Sequence, residues 1–221
     1  MRKLFRKCLL CVCLLLGLTI IMPVHLQAVP KVNTPKLKSV KGIDYNSIKI
    51  TWKRSKNATG YLIYRDNRKL ATVIGGKRTT FTDKKIQFGK RYKYSVKAYQ
   101  VYKKKYVYSQ NSKSITGKAC LKTPQLSKIK YWNSGAPYAT GVQYGTIWKK
   151  VSGAEGYQVE IKEFGWKGST GSSSYLYTRN TKASIQFSDV YKFGIRARAY
   201  RMVNGTRVYG AYSKWVWKTM Y

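Results

Sequence analysis

The chain has 221 residues, with 44 Lys or Arg against 7 Asp or Glu and a formal net charge of +37. That length suits one or two domains, and 43% hydrophobic residues are enough for a folded core. A (β/α)8 barrel needs more chain, carboxylate-rich and two-metal sites have too few acids, and histidine chemistry has one candidate, His25.

At the N-terminus Arg2, Lys3, Arg6 and Lys7 precede an apolar run from Cys8 to Met22. Pro23 ends any helix there, because it lacks an N–H and clashes with the preceding turn. Ala28 supplies a small residue at a cleavage position. This layout predicts a secretory signal peptide over residues 1–28, with retention as an N-terminal anchor as the alternative. The apolar run is short against the roughly 20 residues of a spanning helix. Cys8, Cys11 and Cys13 read as hydrophobic filler within it. Cleavage would remove four basic residues, the one His and three of the four Cys, leaving +33 over residues 29–221. The remaining thiol, Cys120, allows no internal disulfide; it is an incidental linker residue or an intermolecular bridge.

Beyond a short linker (29–34) the hydrophobic period is two. SIKITWK puts Ile48, Ile50 and Trp52 on one face and Lys49, Thr51 and Lys53 on the other. Asp66-Asn67 separates YLIYR from RKLATVI, a tight hairpin. YKYSVKAY places Tyr92, Tyr94, Val96 and Ala98 on one face, and VYKKKYVY (101–108) reads as a hairpin with Lys103, Lys104 and Lys105 at its tip. YKFGIRARA repeats the alternation with Arg196 and Arg198 outward, and Asn204-Gly205 marks another type I′ hairpin. No stretch of 29–221 patterns as an amphipathic helix.

The two halves are copies of one another. Trp52, Ala58, Gly60 and Tyr61 match Trp148, Ala154, Gly156 and Tyr157, all 96 residues on. Thr34-Pro35 matches Thr123-Pro124 at 89, Tyr92-Lys93-Tyr94 matches Tyr191-Lys192-Phe193 at 99, and Ser112-Lys113 matches Ser213-Lys214 at 101. The growing offset predicts insertions in the second copy, chiefly at 134–141. About seven short strands per copy of roughly 90 residues is the pattern of an immunoglobulin-like sandwich.

On the motifs IWKKVSGAEGY, YKFGIRARAY and RMVNGTRVYGAYS, with ITWKRSKNATGY and YKYSVKAY in the first copy, each half resembles a fibronectin type III domain. The version it resembles is the one repeated in exported surface proteins of Gram-positive bacteria. The resemblance covers residues 35–118 and 124–221, joined by a linker at 119–123. It implies an all-β fold of two tandem sandwiches, with Trp52 and Trp148 as core residues of strand B and Tyr61 and Tyr157 opening strand C. It also implies Tyr92 and Tyr191 at the tyrosine corner, with Ile86 and Ile185 as apolar plugs beneath it. The first copy departs where SKNA replaces VSGA, which puts its B–C turn in doubt.

Catalytic chemistry finds little support. Residues 29–221 lack His, so imidazole bases, catalytic triads and zinc–imidazole sites are excluded, and Cys120 has no activating base. Asp44, Asp66 and Asp83 sit at predicted turns, where Asp bonds local backbone. Glu160 and Glu163 share a strand but point to opposite faces, which argues against a glycosidase pair. No cofactor or metal is expected. The functional signal is charge interleaved with aromatics. The candidate polyanion-binding residues are Lys103, Lys104, Lys105, Arg196, Arg198 and Arg207. Exposed aromatics such as Tyr131, Trp132, Trp166, Trp215 and Trp217 add support for carbohydrate contact.

The expected protein is a secreted or surface-associated, non-catalytic adhesion module that contacts anionic cell-wall polymers or acidic glycans. Other surface proteins are further candidate partners, and membrane contact follows only if the signal is retained. Specific nucleic-acid binding is not expected. The alternatives are passive spacer domains and non-specific binding of extracellular nucleic acid.

Overall fold

The computed structural model describes residues 29–132, 142–166, 169–187 and 190–220. The segment 1–28, the insertion at 134–141 and Asp189 lie outside the described residues. The described residues are all-β, with no helix among them.

In the N-terminal half β1 (Lys36–Asp44), β2 (Ser47–Lys53) and β5 (Thr80–Asp83) form a sheet in the order β1-β2-β5. A second sheet runs β4-β3-β6-β7, from β3 (Gly60–Arg65), β4 (Arg68–Ile74), β6 (Arg91–Tyr102) and β7 (Lys105–Asn111). β8 (Ile115–Lys118) continues the pairing on β6. The C-terminal half repeats this plan. β9 (Lys130–Trp132), β10 (Val142–Ile147) and β13 (Lys182–Phe187) form one sheet. β12 (Ser172–Thr178), β11 (Gly156–Phe164), β14 (Lys192–Val203) and β15 (Thr206–Tyr209) form the other, with β16 (Val216–Thr219) also on β14. This order is consistent with immunoglobulin-like or fibronectin type III-like sandwiches.

Period-two patterning builds a core in each half. Ile48, Ile50 and Trp52 pack with Tyr61, Tyr92, Tyr94, Val96 and Ala98. Trp148, Tyr157, Phe193, Ile195, Ala197 and Ala199 do the same in the second half, joined at its margin by Tyr45 and Phe88 from the first. Each strand-B tryptophan meets its strand-C tyrosine edge-on at 5.2 Å. Those tyrosines also close the preceding loop: the Ser55 N–H donates to the Tyr61 hydroxyl at 3.1 Å, and the Val151 N–H to the Tyr157 hydroxyl at 2.8 Å. The SKNA turn takes the same course as its counterpart, because Asn57 (φ 61°) adopts the left-handed conformation that Gly153 (φ 75°) adopts in the second half. Asn tolerates that region better than most non-glycine residues.

The hairpin turns fall where the sequence places them. Asp66 and Asn67 have φ of 50° and 66°, and Asn204 and Gly205 have 49° and 78°, as type I′ turns require. Lys103 and Lys104 occupy the same kind of turn with φ of 47° and 63°, although neither residue favours it.

Strand pairing corrects the repeat alignment. Gly60 pairs with Tyr99 and Gly156 with Tyr200, while Tyr92 pairs with Gly117 and Phe193 with Lys218. The offset is therefore already 101 throughout β14, not 99. Phe193, not Tyr191, is the counterpart of Tyr92, and Ile195 is the counterpart of Tyr94. At Tyr92 the hydroxyl accepts the Gln87 N–H at 2.8 Å, the expected corner bond. Phe193 has no hydroxyl to offer. Likewise Ile48 pairs with Asp83 and Tyr144 with Ile185, so Ile185 stands where the first half has Asp83 rather than Ile86. Both Ile86 and Ile185 pack against their cores.

Candidate functional site

The scarce carboxylates are mostly engaged. Asp83 is more than a turn residue. One of its oxygens accepts from the Lys85 N–H at 3.0 Å. The other accepts from Arg65 and from the Tyr94 hydroxyl, each at 2.8 Å. Asp83 on β5 and Arg65 and Tyr94 on β3 and β6 thus tie the two sheets together through an ion pair between a buried carboxylate and a half-buried guanidinium. Burial, and then the hydrogen bond to Asp83, push the Tyr94 phenol well above its ordinary value. Elsewhere Asp44 pairs with Lys122 at 3.3 Å, Glu155 with Arg201 at 3.8 Å, and an Asp66 oxygen accepts the Lys93 N–H at 2.8 Å. Among the described residues no cluster of His, Cys, Asp or Glu could hold a metal ion.

On the outer face of the β11–β14 sheet, residues of one parity line up: Gln158 opposite Arg198, Glu160 opposite Arg196, and Lys162 opposite Gly194. Arg196 binds buried Glu160 at 2.7 Å, and the Arg198 Nε–H donates to the Gln158 amide oxygen at 2.7 Å. Aromatic rings fill the spaces between. The Arg196 guanidinium lies 4.6 Å from the Trp215 ring and 4.2 Å from Tyr212; that of Arg198 lies 4.4 Å from Tyr212 and 4.0 Å from Tyr209. Trp217 stacks on Trp215 at 5.2 Å, and the Lys192 ammonium sits 5.0 Å from the Trp217 ring. The result is a continuous ladder of cations and rings. Polar bonds brace it: Tyr212 donates to the Gln158 amide oxygen at 2.8 Å, and the Gln158 amide N–H donates to the Tyr177 hydroxyl at 2.7 Å. Burial raises the Tyr212 phenol, and the hydrogen bond with Tyr177 raises that of Tyr209.

Arg196 and Arg198 therefore sit together on one face, but both are already engaged within it. Arg207 adjoins that face, with its guanidinium 4.6 Å from the Tyr177 ring. Lys103, Lys104 and Lys105 lie in the other half, exposed at the β6–β7 hairpin, near the stacked and exposed Tyr106 and Tyr108. The six candidate residues thus divide between two sheets. Trp52, Trp148, Tyr61, Tyr157 and Tyr92 are buried; Tyr191 is only half-buried. Sequence reading missed Tyr209, Tyr212 and Gln158 as ladder members. Gln158 was legible by parity on β11, but Tyr209 and Tyr212 were not, because β15 ends at Tyr209 and parity is lost in the irregular segment beyond it. Cys120 is exposed, its Sγ 3.2 Å from the Gly42 carbonyl oxygen, and burial and Asp44 raise its thiol above the ordinary range.

No protein-family model matches the chain, and no curated protein matches it. Solved structures do match. The chain is similar to the FN1–FN3 domains of chicken CNTN1, 17% identical over 85% of this chain and 66% of that one, with a TM-score of 0.33. It is also similar to a β-1,2-glucanase from Parabacteroides distasonis, 26% identical over 44% of this chain and 14% of that one, with a TM-score of 0.32. The chain spans less than two thirds of either protein. At these TM-scores neither likeness bears on function, and the description of the fold rests on its strand order.

Proposed function

We propose that residues 35–118 and 124–221 are two tandem fibronectin type III-like domains of an exported, surface-associated protein. In this reading they are non-catalytic and bind anionic envelope polymers or acidic glycans. The observation that carries the proposal is the lack of internal compensation for charge. Among the described residues four ion pairs form, and the sequence holds only 7 acidic side chains against 44 basic ones. Exposed Lys103, Lys104 and Lys105 on one sheet and the arginine–aromatic face on the other are the proposed contacts. Arg196 and Arg198 each retain guanidinium N–H groups beyond those spent on Glu160 and Gln158. A field of this sign attracts polyanions and weakens with salt.

The test is co-sedimentation of residues 29–221 with purified bacterial cell walls, before and after teichoic acid extraction, across a salt series. Binding that falls with extraction and with salt supports the proposal. Binding indifferent to both refutes it, and absence of binding favours a spacer. Competition by duplex DNA but not by wall polymer would make nucleic acid the ligand.

A further inference from the structure

The arginine ladder ends at Trp217, beside a cleft of about 390 Å³ lined by Lys162, Phe164, Trp166, Tyr191, Lys192 and Trp217. That volume lies within the range of small-ligand sites, about 300–1,000 Å³. Three elements converge there: the end of β11 with its following loop, the start of β14, and β16. Strand register explains the convergence. Lys162, Gly194 and Trp217 are lateral neighbours across β11, β14 and β16, and Phe164 is opposite Lys192.

Two glycines make the cleft possible. A Cβ on Gly194 would come within 2.5 Å of the Trp217 ring, and one on Gly171 within 2.7 Å of the Phe164 ring. Both rings therefore rest where ordinary side chains would displace them. The first half has no such arrangement: the strand pairing puts Lys93 where Gly194 stands.

The chemistry of the lining is consistent. Trp166 is 72% exposed and Trp217 43% exposed, so both present indole surface to a ligand. The Lys162 ammonium lies 5.4 Å from the Phe164 ring, and the Lys192 ammonium 5.0 Å from the Trp217 ring. Positive charge and aromatic surface thus share one small space, with no carboxylate among the lining residues. Phe164 and Trp217 are 6.0 Å apart and inclined at 45°, so they do not form the parallel slot that would grip a flat base between two rings. A puckered sugar ring needs only one aromatic face and donors at its rim, and the ammonium groups favour a ring that carries a negative charge.

We propose that this cleft binds a single acidic sugar residue, a pyranose bearing a carboxylate, within or at the end of a glycan. The proposal rests on the polyanion reading above and names the part of the ligand that would be recognised locally rather than by overall charge.

The test is tryptophan fluorescence and calorimetric titration of residues 29–221 with an oligogalacturonate, with its neutral methyl ester, and with a single-stranded oligonucleotide. The oligogalacturonate is expected to bind with a change in tryptophan emission, and the methyl ester at least tenfold more weakly. Trp166→Ala should weaken oligogalacturonate binding about tenfold; its exposed indole makes loss of folding a poor explanation. Gly194→Val, which displaces Trp217, should do the same. Equal affinity for acid and ester, unchanged binding in Trp166→Ala, or a Trp166-dependent preference for the oligonucleotide would each overturn the proposal. Wall co-sedimentation of the unmodified chain separates the two readings: wall binding without cleft-dependent oligogalacturonate binding removes this inference alone, whereas loss of wall binding removes the wider one.

Discussion

The two halves share a strand plan and solve one packing problem with opposite chemistry. Where the first half places Arg65, Asp83 and Tyr94 between its sheets, strand pairing puts Ile161, Ile185 and Ile195 in the second. One copy ties its sheets with a buried carboxylate, a half-buried arginine and a phenol; the other fills the same space with three isoleucines. Buried charge is thus dispensable to this frame, since the apolar solution folds to the same strand order. The second half places its paired arginines on the outer face instead, where Glu160 and the rings of Tyr209, Tyr212 and Trp215 hold them.

The sharpest test removes one partner from the ion pair. Asp83→Ala removes the partner of half-buried Arg65 and leaves the buried Tyr94 hydroxyl unpaired, at an expected cost of about 2 kcal/mol. Hydrogen exchange of the β2 and β6 amides across a urea series reports the first half separately from the second. Importing the second half's trio as Arg65→Ile, Asp83→Ile and Tyr94→Ile together should instead be neutral or stabilising, because a well-packed apolar replacement avoids the desolvation of charge. If the triple variant is as unstable as Asp83→Ala, the two solutions are not interchangeable and the comparison fails.

A smaller effect follows from pH. The Tyr94 phenol titrates higher in the folded chain than the roughly 10 of an unfolded tyrosine. The folded state holds that proton more tightly, so the contribution is complete below pH about 10 and is lost as pH rises further. Denaturant melts between pH 8 and 11 should show the first half losing stability at the alkaline end, and Tyr94→Phe should flatten that decline. An equal alkaline slope in the variant would assign the effect to other groups.

The smallest expected effect compares two hairpins. Lys103-Lys104 occupies the left-handed turn that Asn204-Gly205 occupies in the second half. Exchanging the lysines for Asn and Gly should raise stability by about 1 kcal/mol, and the reverse exchange at 204–205 should lower it similarly. Thermal melts of both variants decide it. Weakened wall binding in the stabilised hairpin would add that the strain is retained for the sake of the lysines.

The sandwich pattern was legible because Ile48, Ile50 and Trp52, and their counterparts around Phe193 and Ile195, alternate with polar residues on short strands. The register between copies was not. The motif match at β14 is two residues out, 99 against the paired 101, and an even shift leaves each side chain on the same face. Tyr191 and Phe193 were therefore indistinguishable by periodicity, and the pairing of β14 with β11 and β16 separates them. Asp83 was misread for a related reason: a turn position explains its bond to Lys85, while Arg65 and Tyr94 reach it from strands far along the chain. Arg196 and Arg198 were legible as outward-facing, but their partners were not, because Tyr209, Tyr212 and Trp215 come from the return strand and its irregular connection.

The arginine–aromatic ladder has a consequence for timing and geometry. A surface arginine ordinarily samples many rotamers and must be immobilised by whatever it meets. Here the rings fix Arg196 and Arg198 as the chain folds, and the pleat sets their Cα atoms about 7 Å apart along β14. The face behaves as a comb with rigid teeth: it cannot adapt to an arbitrary partner, but it meets one of matching repeat without having to stiffen first.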